Sequence, residues 1–568
     1  MNAVRNLDAL LRKSFGRLAW PLSLAGAVLM LVGTLLPWTY DDDILDDLTL
    51  YFYPAGPQVY TLVLSLVAFL MLLSVRGPLS ARLRTVLPNA ESGARTTGFF
   101  SFLVVWLVLL GIAVSLGGFI NLDPGGWVSG AGALLLLVAT RALPESALRV
   151  PEWRLPDWAQ ILVIAATLGL VLWGSAYALG REDAWVFVDF LVFATGLVLA
   201  SRTVGLLGYV GEVAARFRRV TLLAAFLVAF LFPFTQDGSD ANMSIAAQVL
   251  VFATTAIGLN IVVGLAGLLD LGYIAFLGSG AYVGAMLSNS AFATIGWKPP
   301  FLVVVVLGAV IAACFGLIIG SPTLRVSGDY LAIVTLAFGE IFKITMNNLD
   351  GTNGPDLTNG PNGIPGIPDL RIGSFDFGDP HIVFGIEIGR FANYYILLLA
   401  VIALVILAFV RLNDSRIGRG WVAIREDERA ADAMGINTFG LKLLAFAGGA
   451  FLAGLAGTIK AHHDVSVTPD QYQFLESAFL LSAVVLGGMG TVAGVLLGAT
   501  ILKLLPEKLR FFSDYRLLLF GLLLVVMMRF RPEGIIASKR RQLELHEEDE
   551  KLASELEGQV ADTEVPTK

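Results

Sequence analysis

Charged side chains are scarce in this 568-residue sequence: Asp, Glu, Lys and Arg together make up 15% of it. A soluble domain carries about 25%, so an ordinary water-soluble fold is excluded. There is one cysteine, Cys314, inside an apolar run. That rules out an intrachain disulfide and predicts a buried, inert thiol. Histidine is almost as rare. His381, His462, His463 and His546 fall in expected loops or in the tail, none beside Cys, Asp or Glu at a zinc-binding spacing. His462-His463 reads as a polar pair at a helix end. No Gly-x-x-x-x-Gly-Lys-Ser/Thr phosphate loop occurs and no nucleophile elbow, so neither ATP binding by that device nor serine chemistry has a place in this chain. The net charge of −7 owes much to Glu544, Glu547, Glu548, Asp549 and Glu550. This run reads as a solvated end, and no nucleic-acid partner is expected.

Apolar residues, by contrast, make up 56%, and the mean hydropathy is +0.75. Runs such as Leu18–Trp38, Gln58–Val75, Gly98–Ile120 and Ala159–Leu179 reach the roughly 17–25 residues that cross a bilayer as a helix. The first run is too long for the core of a cleaved signal and ends in no small-residue cleavage pattern. The fold class is an all-α polytopic membrane protein. It has about sixteen transmembrane segments, because lipid leaves no partner for unpaired backbone groups. The expected spans lie near 18–38, 58–75, 98–120, 126–142, 159–179, 185–204, 220–235, 245–268, 271–289, 300–320, 331–347, 392–411, 440–460, 476–489, 491–505 and 515–530. The stretch 476–505 also reads as one long helix. Basic residues favour two, since a single helix would export Lys539-Arg540-Arg541.

Charge sets the orientation. Arg5, Arg12, Lys13 and Arg17 precede the first span, whereas Asp41-Asp42-Asp43, Asp46 and Asp47 follow it with no Lys or Arg among them. Basic clusters then alternate: Arg76, Arg82, Arg84 and Arg95; Arg141, Arg149 and Arg154; Arg202 with Arg216, Arg218 and Arg219. The positive-inside rule therefore puts both termini in the cytoplasm. Texture changes along the chain as well. Residues 1–215 read as generic spans and form an accessory N-terminal region, 216–538 form a glycine-punctuated core, and 539–568 a charged tail. Within the core, 412–440 is a cytoplasmic loop. Residues 347–391 are a long outer loop rich in Gly, Pro, Asn and Asp, which reads as either a functional ordered loop or a plain connector.

Two stretches carry the motifs. In the cytoplasmic loop, Gly420 to Gly435 predicts one amphipathic helix that ends at Gly435. Trp421, Ile424, Ala431 and Met434 form an apolar stripe, interrupted by Glu428, and Arg425, Glu426, Asp427, Arg429 and Asp432 cover the other faces. Such a helix lies on lipid or fills a partner's groove, and its mixed charge argues for the groove. The second stretch, Gly258 to Tyr282, contains Gly264, Gly267, Gly272 and Gly280 beside Asn260 and Asp270. Glycines there pack helices closely or break them where transporters hold cargo. Polar groups in an apolar run need partners or water. A third, Gly490-x-x-x-Gly494-x-x-x-Gly498, offers a close-packing helix face.

Glu428-Arg-Ala-Ala with Met434-Gly435-Ile436 resembles the coupling loop of ABC importer permeases. Together with the Gly258–Tyr282 stretch, Val485–Gly498 and Arg531-Pro-Glu-Gly-Ile535, it is similar to LivM-type permeases of branched-chain amino-acid importers. The resemblance covers roughly residues 220–540. Arg429 stands where the general importer motif more often has alanine. The resemblance implies a non-enzymatic transport subunit of the bacterial inner membrane. It implies a second permease of LivH type, two ABC ATPase subunits that alone use ATP, and a periplasmic binding protein delivering leucine, isoleucine or valine. No cofactor is implied in this chain. It further implies ATPase coupling through Trp421, Ile424, Arg425, Glu426, Asp427, Glu428, Ala430, Ala431, Met434 and Gly435, with Trp421, Ile424 and Met434 packed into the ATPase. Asn260, Gly264, Gly267 and Tyr282 are the substrate-path candidates. Urea, short amides and other amino acids remain alternative cargoes. A secondary transporter or a membrane-embedded enzyme remains the alternative class.

Overall fold

The computed structural model describes residues 11–536, apart from 14, 42, 49–51, 77–79, 145–149, 152, 154, 237, 325–328, 353, 384, 510–514 and 532. The acidic tail, Lys539-Arg540-Arg541 and His546 lie outside the described residues, as do Arg5 and Asp42. The chain divides into two compact units, Met1–Gln236 and Asp237–Lys568.

The first unit contains α1 (Ala19–Gly33), α2 (Pro57–Val75), α3 (Ser80–Val86), α4 (Ala90–Leu116), α5 (Pro124–Arg141), α6 (Asp157–Gly180), α7 (Ala184–Val204), α8 (Leu206–Arg216) and α9 (Arg218–Leu231). The second contains α10 (Asp240–Asn260), α11 (Ile274–Met286), α12 (Phe301–Thr323), α13 (Asp329–Asn348), α14 (Arg390–Asp414), α15 (Arg416–Glu426), α16 (Glu428–Ala433), α17 (Thr438–Asp464), α18 (Phe474–Gly487), α19 (Val492–Lys508) and α20 (Arg516–Phe530). Each expected span meets one of these helices. Among the described residues, ten helices are long and apolar enough to cross a membrane, and α1 and α11 are shorter apolar ones.

Small residues draw the helices together, because in lipid close backbone approach replaces the hydrophobic drive of water. In the first unit α1 and α5 meet at Gly26 and Gly132; a Cβ on either would lie 2.7 Å from backbone of the other helix. In the second unit α17 is the hub. A Cβ on Gly457 would collide with Leu277 of α11, and Gly280 of α11 and Gly454 of α17 are equally close. Thr458 donates to the Gly280 carbonyl at 3.1 Å.

The stretch 474–508 forms two helices, α18 and α19. Gly488 (φ +123°) and Gly490 (φ +78°) make the turn, and Thr491 caps α19 by accepting from the Gly494 N–H. Gly494 and Gly498 press against Gly487 and Ala483 of α18; Gly490 belongs to the turn instead of that face. Cys314 corrects an expectation, for it is exposed. On α12 the buried side is the stripe Gly308, Ala312, Gly316 and Gly320, and Cys314 points away from it.

The loop expected on the outer side, 347–391, carries short strands among its described residues. Ile364-Pro365 (β1) pairs antiparallel with Ser466-Val467 (β6) after α17. Two short hairpins lie between: Arg371-Ile372 (β2) with Phe375-Asp376 (β3), and His381–Val383 (β4) with Ile386–Ile388 (β5).

Candidate functional site

The segment expected on the cytoplasmic side, 412–440, is exposed on one face and anchored on the other. Ser415 starts α15 by accepting from the Ile417 and Gly418 N–H groups. The single helix expected from Gly420 to Gly435 is broken at Asp427, whose backbone is extended (φ −153°, ψ 106°). The physical reason is the Asp side chain, which accepts the Ala430 N–H at 3.0 Å and so begins a second helix, α16. Glu428, out of place in a continuous apolar stripe, sits at the start of α16 and pairs with Lys442. Gly435 (φ +82°) ends the segment. Its N–H reaches the Asp432 carbonyl at 2.9 Å and that of Ile436 reaches Ala431 at 3.1 Å, the double bond of a left-handed helix end.

The break divides the apolar residues. Trp421 is 1% exposed and Ile424 4%, and the Trp421 indole donates to the Leu441 carbonyl of α17 at 2.7 Å. Both pack inside this chain, so the expectation that they face a partner is corrected: the helix uses them to attach itself. Ala431 is buried too. Met434, 83% exposed, shares the outer surface with Glu426, Asp427, Glu428, Arg429, Ala430 and Asp432.

Arg425 joins this segment to the second motif. Its guanidinium donates to the Gly264 carbonyl at 2.9 Å and pairs with Glu426. Gly264 lies in a π-helical turn, Ile261–Leu265, that ends α10. Gly267 (φ +72°) lies so close that a Cβ would stand 2.5 Å from Arg425 Cγ. Asn260, fully buried, accepts the Gly490 N–H at 2.8 Å through Oδ1 and donates to the Thr491 carbonyl at 3.4 Å. The α18–α19 turn receives the segment after α20 as well: Ile535 N–H donates to Leu486 and Ile536 N–H to Gly487. Four stretches expected on one membrane side thus form one node. The opposite side has its own. Ser290 donates to the Pro365 carbonyl, Thr294 donates to that of Asp356, and Arg390 pairs with Asp369 at 2.7 Å while donating to the His462 carbonyl.

Of the path candidates, Asn260, Gly264 and Gly267 come together, but Tyr282 does not join them. It stands in the opposite node against Phe342 and Tyr472, two and a half turns along α11. Asp270 is buried in the loop before α11 and accepts the Gly272 N–H at 2.9 Å. Sequence reading missed the direct bond between the two motifs. The long straight side chain of Arg425 opposite two glycines was the available signal.

Fold and site define a polytopic α-helical membrane protein with an exposed, rigidly mounted helix pair on one side. Residues 242–528 match the family described as branched-chain amino acid transport system / permease component. The chain is 37% identical over 342 residues to the high-affinity branched-chain amino acid transport system permease protein LivM of Salmonella typhimurium, covering 58% of this chain and 77% of that protein. LivM of Escherichia coli K12 gives the same identity and coverage. The LivH permease protein of E. coli K12 is 27% identical over 291 residues, 50% of this chain and 91% of that protein. No solved structure matches the chain. The chain belongs to the branched-chain amino-acid transport permease family.

Proposed function

We propose that this chain is a membrane-spanning permease subunit of an ATP-driven importer of leucine, isoleucine and valine in a bacterial inner membrane, with both termini cytoplasmic. A second permease of LivH type completes the pathway. Two ATPase subunits bind on the cytoplasmic side and a periplasmic binding protein delivers cargo. ATP is used by those partners, and this chain needs no cofactor.

The observation that carries the reading is the mounting of α15 and α16. Trp421 clamps the pair to α17, Ile424 is buried within the chain, and Arg425 ties the pair to the end of α10. The outward face of Met434 and mixed charges suits a partner's groove rather than lipid. A push on Met434 or Arg429 is then carried through Arg425 to Gly264 and Gly267, and through Asn260 to the α18–α19 turn. Closure driven by nucleotide needs such a rigid lever, since packed helices shift as units. Residues 1–215 are accessory to this machine, and the core from 216 to 538 carries the path. The ordered loop 347–391 offers the binding protein a surface on the far side.

The test is reconstitution of the purified complex in proteoliposomes. Leucine uptake must depend on ATP, on the binding protein and on the ATPase subunits. Uptake by this chain alone would exclude the reading.

A further inference from the structure

Helix α13 is the least apolar of the ten candidate spans, and only 28% of its apolar window is buried. Its buried side is Leu331, Ala332, Thr335, Gly339 and Phe342. The other side exposes Ile333, Ala337, Ile341 and Ile344. Glu340 lies at the edge of that exposed face, twelfth in a helix of 20 residues and so near mid-membrane by the ~1.5 Å rise per residue. It is partly exposed, and among the described residues no hydrogen bond or ion pair occupies its carboxylate. Lys343, one turn on, is already engaged by Asp470 at 3.0 Å. An ionisable group at this depth is expensive against lipid tails and marks a cargo path or a partner.

We propose that Glu340 is the group in the translocation path that receives the α-ammonium of the passing amino acid, while the exposed isoleucines of α13 accommodate its branched apolar side chain. This rests on the importer reading above and adds the substrate contact that reading lacks. The cargo class is a zwitterion with an aliphatic tail. A lone carboxylate set among Ala337, Ile341 and Ile344 matches its cationic and apolar ends.

The helix is also wired to the lever. Thr335 accepts the Leu271 N–H at 3.0 Å. Gly272 lies against the Thr335 carbonyl, and a Cβ on Gly339 would stand 3.3 Å from the Gly272 Cα. The loop from Gly264 to Gly272 therefore touches Arg425 at one end and α13 beside Glu340 at the other. Movement of α15 reaches Glu340 through this loop, so the contact is made or broken as the machine cycles.

The test uses the full assembled transporter carrying Glu340→Gln, which keeps shape and removes charge, and Glu340→Asp, which keeps charge. A charge-assisted hydrogen bond lost from the path should lower leucine uptake roughly 10- to 100-fold in E340Q. E340D should recover part of it, with both permeases and the ATPases still co-purifying in both variants. Uptake by E340Q within about twofold of the parent would overturn the proposal. Loss of the second permease from the purified E340Q complex would overturn it too, in favour of an ion pair between subunits. If the unsubstituted complex fails to move leucine with ATP, the importer reading itself falls, which is a separate result.

Discussion

Trp421 and Met434 sit thirteen residues apart on what the sequence presents as one apolar stripe, yet one is enclosed and the other is 83% exposed. An amphipathic pattern says that a face is covered but not by what. That is why sequence alone assigned both to the partner. The two readings separate experimentally. Trp421→Ala removes a buried indole and its bond to Leu441, and such truncations cost about 3–5 kcal/mol. The permease alone should melt at lower temperature before any ATPase is added. Met434→Asp removes nothing buried, so the melt should stay put while affinity for the ATPase subunits falls. A lowered melt for M434D would place Met434 inside the chain. Asn260→Ala belongs at this scale as well. It leaves the half-buried Gly490 N–H without its acceptor, a loss of about 1–3 kcal/mol at most, and should loosen the α18–α19 turn. Hydrogen exchange at 488–491 would report it.

Among elements, the spans were the most legible part, since an apolar run of membrane length permits little but a helix. The break at Asp427 was not legible. Its neighbours are good helix formers, and only the backbone geometry reveals that Asp427 caps a new helix instead of extending the old one. Nor was the separation of Tyr282 from Asn260 and Gly264. All three stand close in sequence, but α11 carries Tyr282 away along its axis. The Asn260–Gly490 link joins residues more than two hundred positions apart, beyond the reach of any periodicity. Gly435 was legible, and its consequence can be measured. No neighbour lies within 4 Å of where its Cβ would be, so Gly435→Ala acts only through the left-handed backbone, about 1–2 kcal/mol. It should fray the exit of α16 and uncouple ATP hydrolysis from uptake while the subunits still assemble. Gly435→Asn, which tolerates that backbone, should restore most of the coupling. Equal loss in both variants would show that the helix end is not the operative feature.

At the scale of the molecule, the second unit holds both motifs, both nodes and the residues that match the permease family, 242–528. The first unit packs through its own glycines and contributes to neither motif. Residues 1–215 carry about six expected spans, an even number, so removing them leaves the remaining helices their expected orientation. A chain beginning just before Arg216 should retain ATP-dependent uptake. One beginning at Asp240 loses α9 as well and should fail, because an odd number of spans has gone. Stable assembly without transport by the Arg216 chain would put part of the path in the first unit. The most direct test of the central claim remains transport itself: leucine uptake by the reconstituted complex, with and without its ATPase subunits, at equal amounts of this chain. The account predicts accumulation against a gradient only when the ATPases and ATP are present. Accumulation by this chain in their absence would contradict it.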